Sequence, residues 1–117
     1  MIRLRDIIDA LDLKVIAGEN SIMKWVFTGY VGDLYFEVLS KSNYGDLWIT
    51  SRIYHSIVAI AKLKGHVGVI VIGDNRPDVE TVNEARAKGI PLFTTSLSAF
   101  EVAGRLYEMG IRESVKK

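Results

Sequence analysis

The chain predicts an α/β domain built on a mainly parallel sheet, and its second half carries the observations that say so. The runs Asp46-Leu47-Trp48-Ile49-Thr50-Ser51, Val67-Gly68-Val69-Ile70-Val71-Ile72-Gly73-Asp74 and Ile90-Pro91-Leu92-Phe93-Thr94-Thr95-Ser96 are apolar, short and closed by small polar residues. Such runs are too short for helices and read as strands buried on both faces. A helix-like segment follows each run, and strands alternating with helices imply βαβ units. Right-handed crossovers then bring the carboxyl ends of these strands to one edge, where ligands of such sheets sit.

The elements follow in order. Leu4, Ile7, Ile8 and Leu11 keep the i, i+3, i+4, i+7 spacing of an amphipathic helix over about residues 3–12. Lys14-Val15-Ile16-Ala17 reads as a strand and Gly18-Glu19-Asn20-Ser21 as a turn. A second strand over about residues 24–30 sets Trp25, Phe27 and Gly29 against Lys24, Val26 and Thr28. Asp33 is placed to cap a helix through about Ser40, with Leu34, Val38 and Leu39 inward. Ser42-Asn43-Tyr44-Gly45-Asp46 is a loop into the first of the three repeated strands.

A helix over about residues 53–64 is apolar nearly all round, through Ile53, Ile57, Val58, Ala59, Ile60, Ala61 and Leu63, which suits a core or an interface. The next, over about residues 77–88, is mostly polar and expected on the surface. Pro77 suits its first position, Asp78 and Glu80 its positive end, Lys88 its negative end and Gly89 its stop. Its apolar stripe is Val79, Val82 and Ala85. The last helix opens on a capping box, Ser98 and Glu101, with Leu97 stapling onto Val102, and runs to Gly110. One domain over residues 1–117 is expected, without linker or low-complexity tract.

Composition narrows the function classes. The chain has 117 residues, 49% of them hydrophobic, and a mean hydropathy of +0.18. Charges or glycines interrupt every apolar run well short of the ~20 residues of a membrane span. The start, Met1-Ile2-Arg3-Leu4-Arg5-Asp6, lacks the apolar stretch of a signal peptide. The absence of cysteine excludes disulfides, cysteine-bound zinc and thiol catalysis, and suits a reducing cytoplasm. Basic residues number 15 and acidic residues 14, so neither nucleic acid nor a membrane is an expected partner. Lys62/Lys64 and Lys116/Lys117 read as solvated ends.

The strings VGDLYFEVLS at 31–40, GDLWIT at 45–50, HSIVAIAKLKGHVGVIVI at 55–72 and IPLFTTSLSAFEVAGRLYEMGI at 90–111 resemble the DRTGG domain, in order and spacing, over almost the whole chain. DRTGG domains stand alone or act as regulatory pieces, in phosphotransacetylase-like proteins and between CBS domains of some inorganic pyrophosphatases. Their fold is similar to the N-terminal domain of HPr kinase/phosphorylase, the part without the catalytic P-loop. The resemblance implies a three-layer α/β/α sandwich. One departure stands out. Where many DRTGG domains continue with Gly-Asp-Arg after the first repeated strand, this chain has Ser51-Arg52-Ile53-Tyr54, and Gly73-Asp74-Asn75-Arg76 comes one strand later.

The candidate site is the strand-end rim: Thr50, Ser51, Arg52, His55, Gly73, Asp74, Asn75, Arg76, Thr94, Thr95 and Ser96. Free N–H groups at helix starts, with hydroxyls and an arginine beside them, suit phosphate or carboxylate. The plainer reading is that Thr94, Thr95, Ser96 and Asn75 cap helices and close turns. His55, in the first turn of a greasy helix, fits an acid/base role or, more simply, a hydrogen-bonded structural role. His66 is expected to face solvent. No third ligand accompanies the two histidines at metal spacing, so no metal is expected. Capping accounts for Asp74 and Asp78. There is no P-loop string and no Gly-x-Ser-x-Gly elbow.

Tyr30, Tyr35, Phe36, Tyr44 and Trp48 crowd segments too short to bury all of them, which points to a homodimer interface. The expectation is a cytoplasmic, non-enzymatic regulatory domain without cofactor, binding a small anionic ligand such as a nucleotide, or a partner protein, as a homodimer. The alternatives are a pure protein-interaction scaffold and a minimal phosphoryl-transfer enzyme using His55, Arg52 and Asp74.

Overall fold

The computed structural model describes residues 1–114; Lys116 and Lys117 lie outside the described residues. The elements are β1 (Ile2–Arg3), α1 (Leu4–Leu11), β2 (Lys14–Ala17), a 3₁₀ turn (Glu19–Ser21), β3 (Trp25–Val26), β4 (Thr28–Val31), α2 (Tyr35–Lys41), β5 (Leu47–Thr50), α3 (Ser56–Lys64), β6 (Gly68–Val71), α4 (Val79–Lys88), β7 (Leu92–Thr94), α5 (Ala99–Glu108) and β8 (Arg112–Glu113).

The main sheet has six strands in the order β2-β7-β6-β5-β4-β8. β4 to β8 and the ladder from β4 through β7 are parallel, and only β2 runs antiparallel, against β7. Alternating side chains divide the strands between two cores. Leu47, Ile49, Ile70 and Phe93 pack with Leu4, Ile7 and Leu11 of α1 and Val102 and Leu106 of α5. Trp48, Val69, Val71 and Leu92 pack on the other face with Val38 of α2, Ile57, Val58 and Ala61 of α3, and Ala85 of α4. A fully buried aliphatic side chain contributes roughly 1.5–3 kcal/mol, so the central strands fix the three-layer α/β/α sandwich. Where the chain leaves β2 it crosses Pro91 so closely that a Cβ on Gly18, at φ +82°, would lie 2.4 Å from the Pro91 Cα.

Several expectations are corrected. The strand over residues 24–30 is two strands, β3 pairing with β1 and β4 with β5. Val26 enters the α1/α5 core, which turns Trp25 and Phe27 outward; the Arg3 guanidinium covers the Trp25 ring at 3.7 Å. Asp33 does not cap α2. Leu34 occupies the cap position, and the Asp33 carboxylate is taken by Thr50 and Ser51. Leu34 and Leu39, expected inward, are exposed, and Val38 alone of the three is buried.

Helix α3 begins at Ser56, with His55 at its cap position. It is one-sided: Ile57, Val58, Ile60 and Ala61 are buried while Ala59 and Leu63 are exposed. Pro77 precedes α4, because the Asp78 side chain accepts from Thr81 N at 2.8 Å and so makes Asp78 the cap. Thr81 is buried and Val79 exposed, so the inner face of α4 runs through Thr81 and Ala85. Ser98 caps α5 by accepting from Glu101 N, but the Glu101 carboxylate goes to Arg105 at 3.1 Å instead of closing the box.

Candidate functional site

The ladder registers Thr50 opposite Val71 and Val71 opposite Thr94, so the three repeated strands end at one edge. Because β2 is antiparallel, its first residue reaches the same edge: Lys14 lies opposite Thr94. The rim beyond carries two depressions. The larger, of about 570 Å³, is lined by Asp12, Lys14, Ile16, Asp74, Asn75, Arg76, Pro77, Val82, Thr94, Thr95, Ser96, Leu97 and Arg105, with Leu11 at its base. The smaller, of about 370 Å³, is lined by Asp33, Ser51, Arg52, Ile53, Tyr54 and Asn75. Asn75 belongs to both, and its side chain is tied back to Ile72 O at 2.9 Å.

Expected rim residues therefore separate into groups. Asp74, Asn75, Arg76, Thr94, Thr95 and Ser96 come together in the larger cleft, while Ser51 and Arg52 face the smaller one. Thr50 is withdrawn: it is 2% exposed, with its hydroxyl donating to Asp33 Oδ1 at 2.7 Å. Gly73 and His55 line neither depression. His55 Nε2 stands 3.8 Å from Glu80 Oε1, with both side chains more than half exposed, a contact of little energetic weight.

Much of the rim backbone is already engaged within the fold. Ser51 N–H donates to Asp33 Oδ1 and Arg52 N–H to Thr50 Oγ1. Gly73 N–H donates to Leu97 O, Asp74 N–H to Thr95 O, Asn75 N–H to Ile72 O and Thr95 N–H to Val71 O. The starts of α4 and α5 are capped by their own Asp78 and Ser98. With these N–H groups spent on closing loops, the charged groups that the rim offers a ligand are its side chains.

Those side chains are the cations of the larger cleft. Lys14 shares a face of β2 with Ile16, which packs against the α3/α4 core, and Arg76 comes from the loop before α4. Among the described residues neither makes a side-chain hydrogen bond or ion pair. Arg105 enters from α5, held by Glu101. Arg52, by contrast, is used up locally: its Nε donates to Asp33 O at 3.0 Å, and its guanidinium lies 5.1 Å from the Tyr35 ring centre.

Asp33 organises the smaller depression. Burial on its own would raise its carboxyl; the hydrogen bonds from the Ser51 hydroxyl, Ser51 N–H and Thr50 hydroxyl, with the nearby Arg52 charge, outweigh burial and hold it below the ordinary carboxylate range. Asp78 is likewise lowered, by the hydrogen bonds from the Thr81 side chain and backbone. The group His55, Arg52 and Asp74 does not converge, since Arg52 and Asp74 line different depressions and His55 lines neither.

His66 corrects the sequence reading most sharply. It is 5% exposed, beside Trp48 at a ring separation of 5.5 Å. Its Nε2 lies 2.9 Å from Ser42 Oγ, whose own hydrogen goes to Val38 O, so Nε2 is the donor. Nδ1 is buried without a partner among the described residues. Burial, reinforced by Lys64 and opposed by Asp46, pushes the imidazole down to about 4. Lys14, Asp12, Asp33 and Arg105 are the rim residues that sequence reasoning missed. Only the antiparallel placement of β2 could have found Lys14, and apolar periodicity carries no sign of strand direction.

No protein-family model matches the chain, and no curated protein does. Among solved structures the chain is similar to the CBS and DRTGG domains of the regulatory region of Clostridium perfringens pyrophosphatase, complexed with the activator diadenosine tetraphosphate. The TM-score is 0.69 and the identity 23%, over 89% of this chain. This chain spans 45% of the length of that one. The fold is DRTGG-like, as the sequence strings imply. No helix among the described residues is long and apolar enough to cross a membrane.

Proposed function

We propose that this is a non-catalytic regulatory domain that binds a small anionic ligand, a nucleotide or other phosphorylated metabolite, in the larger strand-end cleft. One observation carries the reading: the approximately 570 Å³ cleft at the carboxyl ends of β6 and β7 gathers Lys14, Arg76 and Arg105 beside Thr94, Thr95 and Ser96. Lysine and arginine hold phosphate through charge-assisted hydrogen bonds, and the strand-end crevice is where ligands of open α/β sheets lie. The likeness to a regulatory region that binds a nucleotide activator supports the same class. The absence of a convergent acid/base group around His55 favours binding over phosphoryl transfer.

The test is a thermal-shift panel of nucleotides and phosphorylated metabolites, since a ligand that binds the native state raises its melting temperature. Calorimetric titration of any hit into Lys14→Ala and Arg76→Ala follows. Each loss of a charged contact costs about 1.5–3 kcal/mol, or roughly tenfold to a hundredfold in affinity. If no compound binds below about millimolar, a concentration at which binding is worth only ~4 kcal/mol, the cleft is not a ligand site.

A second reading concerns assembly. Phe36 (72% exposed), Tyr44 (87%) and Leu63 (76%) are left uncovered on the α2/α3 layer, with Leu39 beside them, its carbonyl accepting from Lys64 Nζ. Exposed aromatics of this kind favour a protein interface, and none of these four residues lines either strand-end depression.

A further inference from the structure

The larger cleft holds charges of both signs that do not pair with one another. Asp12 and Asp74 line it together with Lys14 and Arg76, and among the described residues none of the four side chains makes a hydrogen bond or ion pair. Lys14 and Arg76 are balanced by Asp12 and Asp74, and the remaining cation, Arg105, is already held by Glu101 at 3.1 Å. Net attraction therefore does not favour a bare anion, which would meet two carboxylates as well as the cations. Both carboxylates are exposed, and an ionised carboxylate only accepts hydrogen bonds, so a ligand that touches Asp12 or Asp74 must present donors to it. The cleft is also lined by the partly exposed Ile16, Val82 and Leu97, apolar surface against which a flat or carbon-rich ligand body can rest.

Resting on the cleft reading above, we infer that the ligand carries a phosphate and sugar hydroxyls on one molecule, a ribonucleotide in its simplest form. Lys14 and Arg76 hold the phosphate. A carboxylate from Asp12 or Asp74 accepts from the ribose hydroxyls, the chemistry by which acidic side chains select ribose in other α/β sites. The base lies on the apolar wall. The site is thus a reader of phosphate and sugar together, and inorganic phosphate occupies it poorly.

The experiment is calorimetric titration of adenosine, guanosine and uridine 5′-monophosphates, their 2′,3′-dideoxy counterparts and inorganic phosphate into the intact chain, then into Asp12→Asn and Asp74→Asn. Both positions have left-handed backbones, at φ 53° and 62°, a conformation asparagine tolerates, so the fold survives the substitutions. The expected result is that at least one ribonucleotide binds roughly tenfold or more tightly than its dideoxy counterpart, with one Asn variant, which keeps a neutral acceptor but loses the charge, narrowing the difference. Equal affinity for the ribo and dideoxy forms overturns the inference and leaves the phosphate cleft standing. Inorganic phosphate binding as tightly as the nucleotides overturns it too. If no phosphate compound binds, the proposed function itself fails.

Discussion

Ser51 donates to the Asp33 carboxylate twice, from its main-chain N–H at 2.8 Å and from its hydroxyl. The pair joins the end of β5 to the loop that leaves β4, and the Thr50 hydroxyl adds a third bond to the same carboxylate. A carboxylate with three donors is a clasp between adjacent parallel strands, and it explains why Thr50 and Ser51 are spent on structure.

Removing the clasp should cost stability. Asp33→Ala leaves Ser51 N–H and the Thr50 hydroxyl without their acceptor, and a loss of about 1–3 kcal/mol is expected. Asp33→Asn keeps one acceptor oxygen and should cost less. Denaturant midpoints for the two variants check the order. Because the Asp33 carboxyl is held below its ordinary value in the folded state, its contribution is present above the unfolded pKa of about 4 and is lost as pH falls below that. The Ala variant should show a shallower acid limb.

His66 gives the opposite end of the acid range a second marker. Its folded pKa of about 4 lies below the ordinary histidine value of 6.5. Between those two values the unfolded chain binds a proton that the folded imidazole refuses, so stability falls as pH drops through this window. The full loss, reached near the folded value, is about 3 kcal/mol. Denaturation between pH 7.5 and 4.5 should show this slope in the wild type, and His66→Leu should remove it. A slope unchanged in the variant would assign the effect to other groups.

The fold was legible where periodicity and length agreed: β2, β5, β6 and β7 follow from apolar runs, and the parallel alignment of β5, β6 and β7 from crossover handedness. Misreadings fall where a side chain answers to a distant partner. Asp33 stands where a cap would stand, but Ser51, remote in sequence, outcompetes the nearby N–H groups for its carboxylate. His66 follows Lys64-Gly65 like a loop residue, yet the chain turns inward there and sets it on Trp48. Trp48, grouped with interface aromatics, is fully buried and donates Nε1–H to Gly32 O at 2.8 Å. The rim's position was readable; the spending of its N–H groups was not, because it depends on loop-to-loop pairing such as Gly73 with Leu97.

The two rim arginines should separate in any binding measurement. Arg52 is engaged with Asp33 O and the Tyr35 ring, and Arg76 lines the larger cleft without a partner among the described residues. Arg76→Ala should weaken a phosphate ligand roughly tenfold to a hundredfold. Arg52→Ala should leave that affinity unchanged while lowering stability by about 1 kcal/mol through the lost hydrogen bond and cation–π contact. Calorimetry of both variants against one ligand decides it, and an Arg52 effect as large as that of Arg76 would move the site to the smaller depression.

The α2/α3 surface yields the last prediction. Phe36 and Leu39 lie one turn apart on α2 and are exposed, as are Leu63 near the end of α3 and Tyr44 against its terminal Gly65. A second copy burying this surface around a two-fold axis would set the same residues against themselves. A stable interface needs on the order of 800 Å² per partner around a few aromatic anchors. Sedimentation equilibrium should therefore give a dimer at tens of micromolar protein, and Phe36→Asp with Leu63→Glu should give a folded monomer. The substitutions lie on exposed positions, where changes usually cost under ~0.5 kcal/mol, so a monomer with an unchanged melting profile would point to the interface and not to unfolding. A wild-type monomer at that concentration would end the homodimer reading. A dimer indifferent to both substitutions would place the interface on another face.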